Sequence, residues 1–340
     1  MAKTVNPNLK IKSKPLKSVD NYLLGIRSGD RYTLSEALTL IESQNESQRQ
    51  LGDSILSKLK SQTTDSKTIR IGITGSPGAG KSTFIETLGK SLIDRGHRVA
   101  VLAIDPSSTK SQGSVLGDKT RMNELSLNDS AFVRPTATRN VLGGVARSTK
   151  ESIALCEEAG YDIILIESVG VGQSETVLAD LVDIYLLLLL PGGGDGVQGI
   201  KRGVVELADM LVINKYDGDR LSIAKLSRED FASSIRLFYH RIMQWRVPVL
   251  LASSIENTGF STVIETIFDF KKLAIETDSF YSNRQEQDEK WLTQQIKAHI
   301  ISQVEQNIHY ENTQFSNSDV SLFEKITTAR IQIDKQLNIK

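Results

Sequence analysis

An α/β fold is predicted for this chain, with a mostly parallel sheet covered by helices on both faces. Three observations predict it. Short apolar stretches alternate with helical ones from Thr68 to Ala274, the pattern of a sheet wound with helices. The apolar stretches are continuous rather than alternating, as in strands covered on both faces. The first, Ile69 to Ile73, runs into Gly75-Ser76-Pro77-Gly78-Ala79-Gly80-Lys81-Ser82. That fits G-x-x-x-x-G-K-[ST] at every fixed position, the phosphate loop of P-loop NTPases.

Composition bounds the rest. The chain has 340 residues, 39% hydrophobic and 24% charged, enough for a large core. Lys+Arg and Asp+Glu both number 41, so no overall basic field argues for nucleic acid. Cys156 is the only cysteine, which excludes an intramolecular disulfide and suits a reducing, cytoplasmic setting. The longest apolar run, Ile184 to Leu190, falls short of the roughly 20 residues of a membrane span. The basic start, MAKTVNPNLKIKSKPLKSV, lacks the apolar stretch of a secretion signal and the arginines of a transit peptide. It reads as a disordered tail, with Pro7 and Pro15 breaking any helix.

Ser18 to Lys60 turns helical, with Leu34, Leu38 and Ile41 at helical spacing, and Gln62 to Ser66 is a polar linker. Helix Lys81–Arg95 ends at Gly96, a natural cap. Strand Arg98–Ile104, short strand Ala131–Arg134 and helix Gly144–Glu158 follow. Strand Asp162–Ile166, helix Glu175–Leu181, strand Asp183–Leu190 and helix Val197–Ala208 continue the alternation. Strand Met210–Ile213, helical region Leu221–Gln244, strand Val247–Ala252 and helix Ser261–Ala274 complete it. Beyond Glu276 the signal is helical only. Leu292, Ile296, Ile300 and Val304 mark one face, and Leu322, Ile326, Ala329, Ile333 and Leu337 another. These faces either pack on their own domain or form an arm joining two subunits. The expected organisation is therefore a tail and helical segment over 1–66, a P-loop domain over 67–278 and a helical arm over 279–340.

The chemistry follows from the spacing. Glycines let consecutive backbone N–H groups turn around a phosphate, and the helix starting at Lys81 points its positive end at it. Lys81 reaches the β- and γ-phosphates, Ser82 can ligate Mg²⁺, and Thr83 continues the cradle. Asn214-Lys215-Tyr216-Asp217, at the end of a strand, matches the guanine reader N-K-x-D. Asp217 can accept from the ring N–H and exocyclic amine of guanine, which adenine does not offer there; Lys215 lies along the base and Asn214 braces the loop. Ser253-Ser254-Ile255 places a backbone N–H near the guanine oxygen. Glu167 ends a strand beside the phosphate loop, with Gly170 after it approaching the γ-phosphate. Asp105 and Asp118 are further candidates, since acids at strand C-termini face the ligand crevice. The predicted reaction is attack of water on the γ-phosphate of GTP, giving GDP. Small Ras-like GTPases carry a glutamine directly after the corresponding glycine; here Val171 stands there and Gln173 comes later. Slow intrinsic turnover is expected, with a partner completing the site.

Several motifs in one order carry a resemblance: GSPGAGKST, DPSST, GSVLGDKTRM, RP followed by LGGVAR, ESVGVGQSE, the GDGVQGIK loop and NKYD. The chain resembles the MeaB/ArgK GTPases, a group related to nickel-insertion and signal-recognition GTPases. The resemblance implies a homodimeric GTPase chaperone of a cobalamin-dependent acyl-CoA mutase, typically methylmalonyl-CoA mutase, that gates cofactor loading and protects or reactivates the enzyme. It implies that Asp105, Asp118 and Glu167 surround Mg²⁺ and the γ-phosphate. It also implies a partner-coupling loop including Gly194, Asp195, Gln198, Gly199, Ile200 and Lys201. The chain departs from the family pattern at Gly196, Asn140, Ser168 and the second serine of Ser253-Ser254.

Three other classes compete, one of them a non-catalytic dimeric scaffold, which fails if Lys81→Ala abolishes function while leaving fold and dimer intact. A metallochaperone GTPase needs soft ligands, and only Cys156, His97, His240, His299 and His309 are available, scattered along the chain. A kinase of a periplasmic amino-acid transport system would need an acceptor site, for which no signature is present.

Overall fold

The computed structural model describes residues 16–59, 68–105, 122–137, 142–168, 174–192, 202–236, 240–242 and 244–307. Seven strands form one sheet in the order β3-β2-β4-β1-β5-β6-β7, every pair parallel. They are β1 (Ile69–Gly75), β2 (Val99–Asp105), β3 (Ala131–Ala137), β4 (Ile163–Ser168), β5 (Ile184–Leu189), β6 (Met210–Ile213) and β7 (Val249–Leu251). In chain order the helices are α1 (Val19–Arg27), α2 (Arg31–Ile41), α3 (Glu46–Leu56), α4 (Lys81–Ile93), α5 (Asn123–Leu127), α6 (Leu142–Glu158), α7 (Ser174–Ala179), α8 (Arg202–Glu206), α9 (Leu221–Ile235), α10 (Phe260–Glu276) and α11 (Ser279–Asn307). Strands β1 and β5 are buried at every position, as the unbroken apolar runs require.

Each face of the sheet carries its own core. On one, Ala100, Leu102, Ile164 and Ile166 pack in the same cluster as Leu34, Leu38, Ile41 and Ile55, so the N-terminal helices belong to the sheet's covering layer. On the other, Ile71, Ile73 and Val101 pack with Phe84 and Leu88 of α4 and Val263, Ile267 and Phe270 of α10. Helices α1, α2 and α3 start where a side chain caps the first turn: Ser18, Asp30 and Asn45 each accept from backbone N–H groups.

The N-terminal edge of the sheet is held by aspartates just ahead of the strands. Asp162 accepts from the Arg98 amide at 2.7 Å, Asp183 from the Arg70 amide at 2.8 Å and Asp209 from the Tyr185 amide at 2.7 Å. Asp183 also takes both Nε and an Nη of Arg284, at 2.7 and 2.6 Å, while Arg70 forms a bidentate pair with Glu157 at 2.8 and 3.0 Å. All four side chains are buried. Burial alone pushes the Asp183 carboxyl up. The charges of Arg284 and Arg70, with the hydrogen bonds they donate, outweigh that and hold it below the ordinary aspartate range.

The structure corrects one element of the sequence reading. The helical region expected over Leu221–Gln244 ends at Ile235. Beyond it, His240 and Arg241 bond the buried Asp209 carboxylate at 2.8 Å and at 3.0 and 2.9 Å, and the Trp245 indole donates to the Asp209 carbonyl at 2.7 Å. These long-range bonds replace the local helical ones. Of the helix expected over Val197–Ala208, residues 202–208 are described and are helical from Arg202 to Glu206, and the helix expected over Leu322–Leu337 lies outside the described residues.

The chain divides into two compact units, residues 1–284 and 285–340. In the second, α11 is described as far as Asn307. Its Leu292, Ile296 and Ile300 are 56%, 51% and 55% exposed. Among the described residues no helix is long and apolar enough to cross a membrane.

Candidate guanine-nucleotide site

Parallel strands present their C-terminal ends together, and the crevice beyond that edge is where such sheets bind ligands. Gly75 ends β1, Ser168 ends β4 and Asn214 follows β6. The phosphate loop, the acid after β4 and the base-reading tetrapeptide therefore meet at one edge.

Two glycines are dictated by close approach. A Cβ on Gly75 would lie 2.2 Å from the Leu188 carbonyl oxygen of the neighbouring strand. Gly80 has φ of 86°, and a Cβ there would meet the Asn214 amide nitrogen at 2.9 Å. With no side chain in the way, the Asn214 Nδ2 donates to the Ala79 carbonyl at 2.9 Å, tying the guanine reader to the phosphate loop. The Lys81 ammonium donates to the Gly75 and Ser76 carbonyls at 2.9 and 3.3 Å, at the mouth of the loop. Ser82 is the second residue of α4 and its hydroxyl donates to Glu167 Oε1 at 3.0 Å, so these two expected ligands are neighbours. Pro77 and Gly78 form the exposed crest of the loop, and Thr83 is exposed one residue beyond Ser82.

Magnesium takes hard oxygen ligands and keeps much of its water. A serine hydroxyl beside a glutamate carboxylate, at the N-terminus of the phosphate-loop helix, fits that ion. Soft-metal ligation does not fit Cys156, His97 or His240, and among the described residues no group of three or more His, Cys, Asp or Glu could hold a metal ion. Cys156 is buried, and burial pushes its thiol well up. His97 bonds Asp162 at 2.7 Å and stacks on Phe268, and His240 is bound to Asp209.

At the base-reading end, Ser253 and Ser254 contribute more than backbone. The buried Ser253 hydroxyl donates to Asp217 Oδ2 at 2.5 Å and accepts from the Glu256 amide at 3.1 Å. The Ser254 hydroxyl donates to Asn214 Oδ1 at 2.9 Å, and Thr87 of α4 donates to the Ser254 carbonyl at 3.0 Å. Lys215 adopts a positive φ of 60°, which turns the chain between Asn214 and Asp217. Ile255 is 82% exposed, at the rim. Beneath Glu167, the Ser168 hydroxyl donates to Thr74 at 2.7 Å, joining the ends of β4 and β1.

The other expected residues divide plainly. Asp105 closes β2, whose residue Ile104 registers with Ser168 of β4; its side chain lies outside what is described. Asp118, Gly170, Gln173, Asp195, Gln198 and Lys201 lie outside the described residues. Sequence reasoning missed Thr87 and the hydroxyl roles of Ser253 and Ser254. The only local signal was an extra serine where the family pattern has alanine.

Comparison with known proteins agrees with this geometry. The sequence profile of the family described as methylmalonyl Co-A mutase-associated GTPase MeaB matches residues 34–309. A probable GTPase of Mycobacterium tuberculosis, Rv1496, is 44% identical over 290 residues, covering 85% of this chain and 86% of that protein. The mitochondrial methylmalonic aciduria type A homolog of Mus musculus is 43% identical over 299 residues, covering 86% of this chain and 72% of that protein. A crystal structure titled LAO/AO transport system kinase superposes with a TM-score of 0.73 at 31% identity, covering 96% of this chain and 95% of that one. With the phosphate loop and the guanine reader hydrogen-bonded at one sheet edge, the chain belongs to the MeaB family of methylmalonyl-CoA mutase-associated GTPases and is a GTPase of P-loop fold.

Proposed function

We propose that the protein is a GTP-driven chaperone of a cobalamin-dependent acyl-CoA mutase, methylmalonyl-CoA mutase foremost, which gates cobalamin loading and protects or reactivates the enzyme. The observation that carries the GTP half is the Asn214 to Ala79 hydrogen bond, which makes base recognition and phosphate binding one site. The family's description and the mouse relative's name support the mutase half.

In this reading Asp217 accepts the guanine N–H groups while Ser253 holds its carboxylate. Lys81 places its charge on the β- and γ-phosphates, and the loop N–H groups of Ser76 and of Gly78 to Thr83 cradle them. Ser82, Glu167, Asp105 and Asp118 hold Mg²⁺, which when bound draws off charge developing on the phosphates. Water attacks the γ-phosphorus, the bond to the β,γ-bridging oxygen breaks, and GDP and phosphate leave. Catalysis is then positioning and charge neutralisation. Intrinsic turnover is slow, and the client, acting through Gln173 and the loop bearing Asp195, Gln198 and Lys201, completes the site.

The same reading makes the protein a cytoplasmic homodimer joined through residues 279–340. The exposed row of Leu292, Ile296 and Ile300 on α11 supports the arm.

Co-purification of the full chain with a cobalamin-dependent acyl-CoA mutase, with GDP and with a non-hydrolysable GTP analogue, tests the proposal. A complex whose stability depends on the nucleotide is expected. Absence of mutase in both samples would overturn it.

A further inference from the structure

We infer that Ser254 is a positioning residue that sets how long a guanine nucleotide stays bound, acting through Asn214. The inference rests on the reading that this site takes GTP and GDP.

Asn214 links the two loops. It is 1% exposed, and its amide has two polar ends. The nitrogen donates to the Ala79 carbonyl of the phosphate loop at 2.9 Å. The oxygen accepts from the Ser254 hydroxyl at 2.9 Å. The Ala79 carbonyl, which can only accept, fixes which end of the amide faces the phosphate loop, and the Ser254 hydroxyl supplies the donor that the other, oxygen end then needs. Ser254 is itself held, since the single Thr87 hydroxyl proton is shared between its carbonyl at 3.0 Å and the Thr83 carbonyl of α4 at 3.1 Å. The loop after β7, the loop after β6, the phosphate loop and the phosphate-loop helix are thus closed into one ring of hydrogen bonds.

A nucleotide binding here touches the ring at both ends, the base at Asp217 and the phosphates at the loop of Ala79. For it to leave, the base loop and the phosphate loop must separate, or the nucleotide must slip between two parts held together. Removing the Ser254 hydroxyl leaves a buried Asn214 oxygen without its donor. That weakens the tie between the halves of the site while leaving every group that touches the nucleotide in place. The direct partner of guanine, Asp217, is held by Ser253 and is not disturbed.

The experiment measures dissociation of a fluorescent GDP from the full chain by stopped-flow displacement with unlabelled GDP. Ser254→Ala is expected to speed release about tenfold, the effect of losing one buried hydrogen-bond partner, with association little changed. Ser254→Thr, which keeps the hydroxyl, retains the wild-type rate. In an Asn214→Ala background, Ser254→Ala adds less than about a twofold further change, because its route is already cut. Release from Ser254→Ala within about twofold of wild type would overturn the inference. So would equal acceleration by Ser254→Thr, full additivity with Asn214→Ala, or a thermal midpoint for Ser254→Ala well below wild type, which would mark a general folding defect. Failure of the wild-type protein to bind fluorescent GDP would count instead against the guanine-nucleotide reading itself.

Discussion

In the proposed function Asp217 and Lys81 carry opposite halves of the nucleotide, and changing each has a different predicted effect. Asp217→Asn exchanges one acceptor for a donor. GTP affinity is predicted to fall by about 10⁴-fold or more, the penalty for mismatched buried polar groups, while xanthosine triphosphate, with a carbonyl where guanine has its amine, is accepted instead. Competition between the two nucleotides for a fluorescent GDP reads this directly; unchanged GTP preference would contradict it. Lys81→Ala is predicted to lower GTP turnover about 10²–10³-fold while leaving the circular dichroism spectrum and thermal midpoint near wild type. At this scale the sequence was legible wherever chemistry imposes short fixed spacings. The phosphate loop and N-K-x-D each lie within a few consecutive residues. Ser254 and Thr87 were not legible, because the bonds that give them meaning span 40 and 167 positions of sequence separation.

Among the elements, the central strands are fixed from both ends. Their C-terminal ends bear the candidate site, and their N-terminal ends are tied by Asp183, Arg70, Glu157 and Arg284. Asp183 has a lowered folded-state pKa, so its contribution is complete above the unfolded aspartate value of about 3.9 and is lost as pH falls through the lower folded value. Thermal midpoints measured from neutral pH down to about pH 3 are predicted to drop once pH passes below about 4; a midpoint that holds or rises there would contradict the assignment. Asp183→Ala takes the bidentate partner from the buried Arg284, leaving it the Thr68 carbonyl and a 3.8 Å pairing with Glu157, and is predicted to cost about 3 kcal/mol in urea unfolding. Strand positions were readable because apolar runs in a doubly covered sheet have no polar alternation to confuse them. The end of α9 was not, because Asp209, which draws His240 and Arg241 away from helical geometry, lies 31 and 32 positions distant. The placement of α1 to α3 against the sheet was equally hidden: helical spacing marks the buried face of α2 but not what it packs on.

Across the whole molecule, the proposed function needs a nucleotide site, a client enzyme and a second copy of the chain. If the row of Leu292, Ile296 and Ile300 is the seam of a dimer, then Ile296→Glu with Ile300→Glu yields monomer in analytical ultracentrifugation while GDP binding persists. A double variant that sediments as wild type would remove the arm from that role. Every one of these claims presupposes that guanine and phosphates are gripped by one connected site. Calorimetric titration of the full chain with GTP, GDP and ATP in the presence of Mg²⁺ tests that most directly. One site per chain that takes GTP and GDP and leaves ATP unbound at the same concentrations is the predicted result; folded protein that takes up neither guanine nucleotide, or takes ATP equally well, would contradict it.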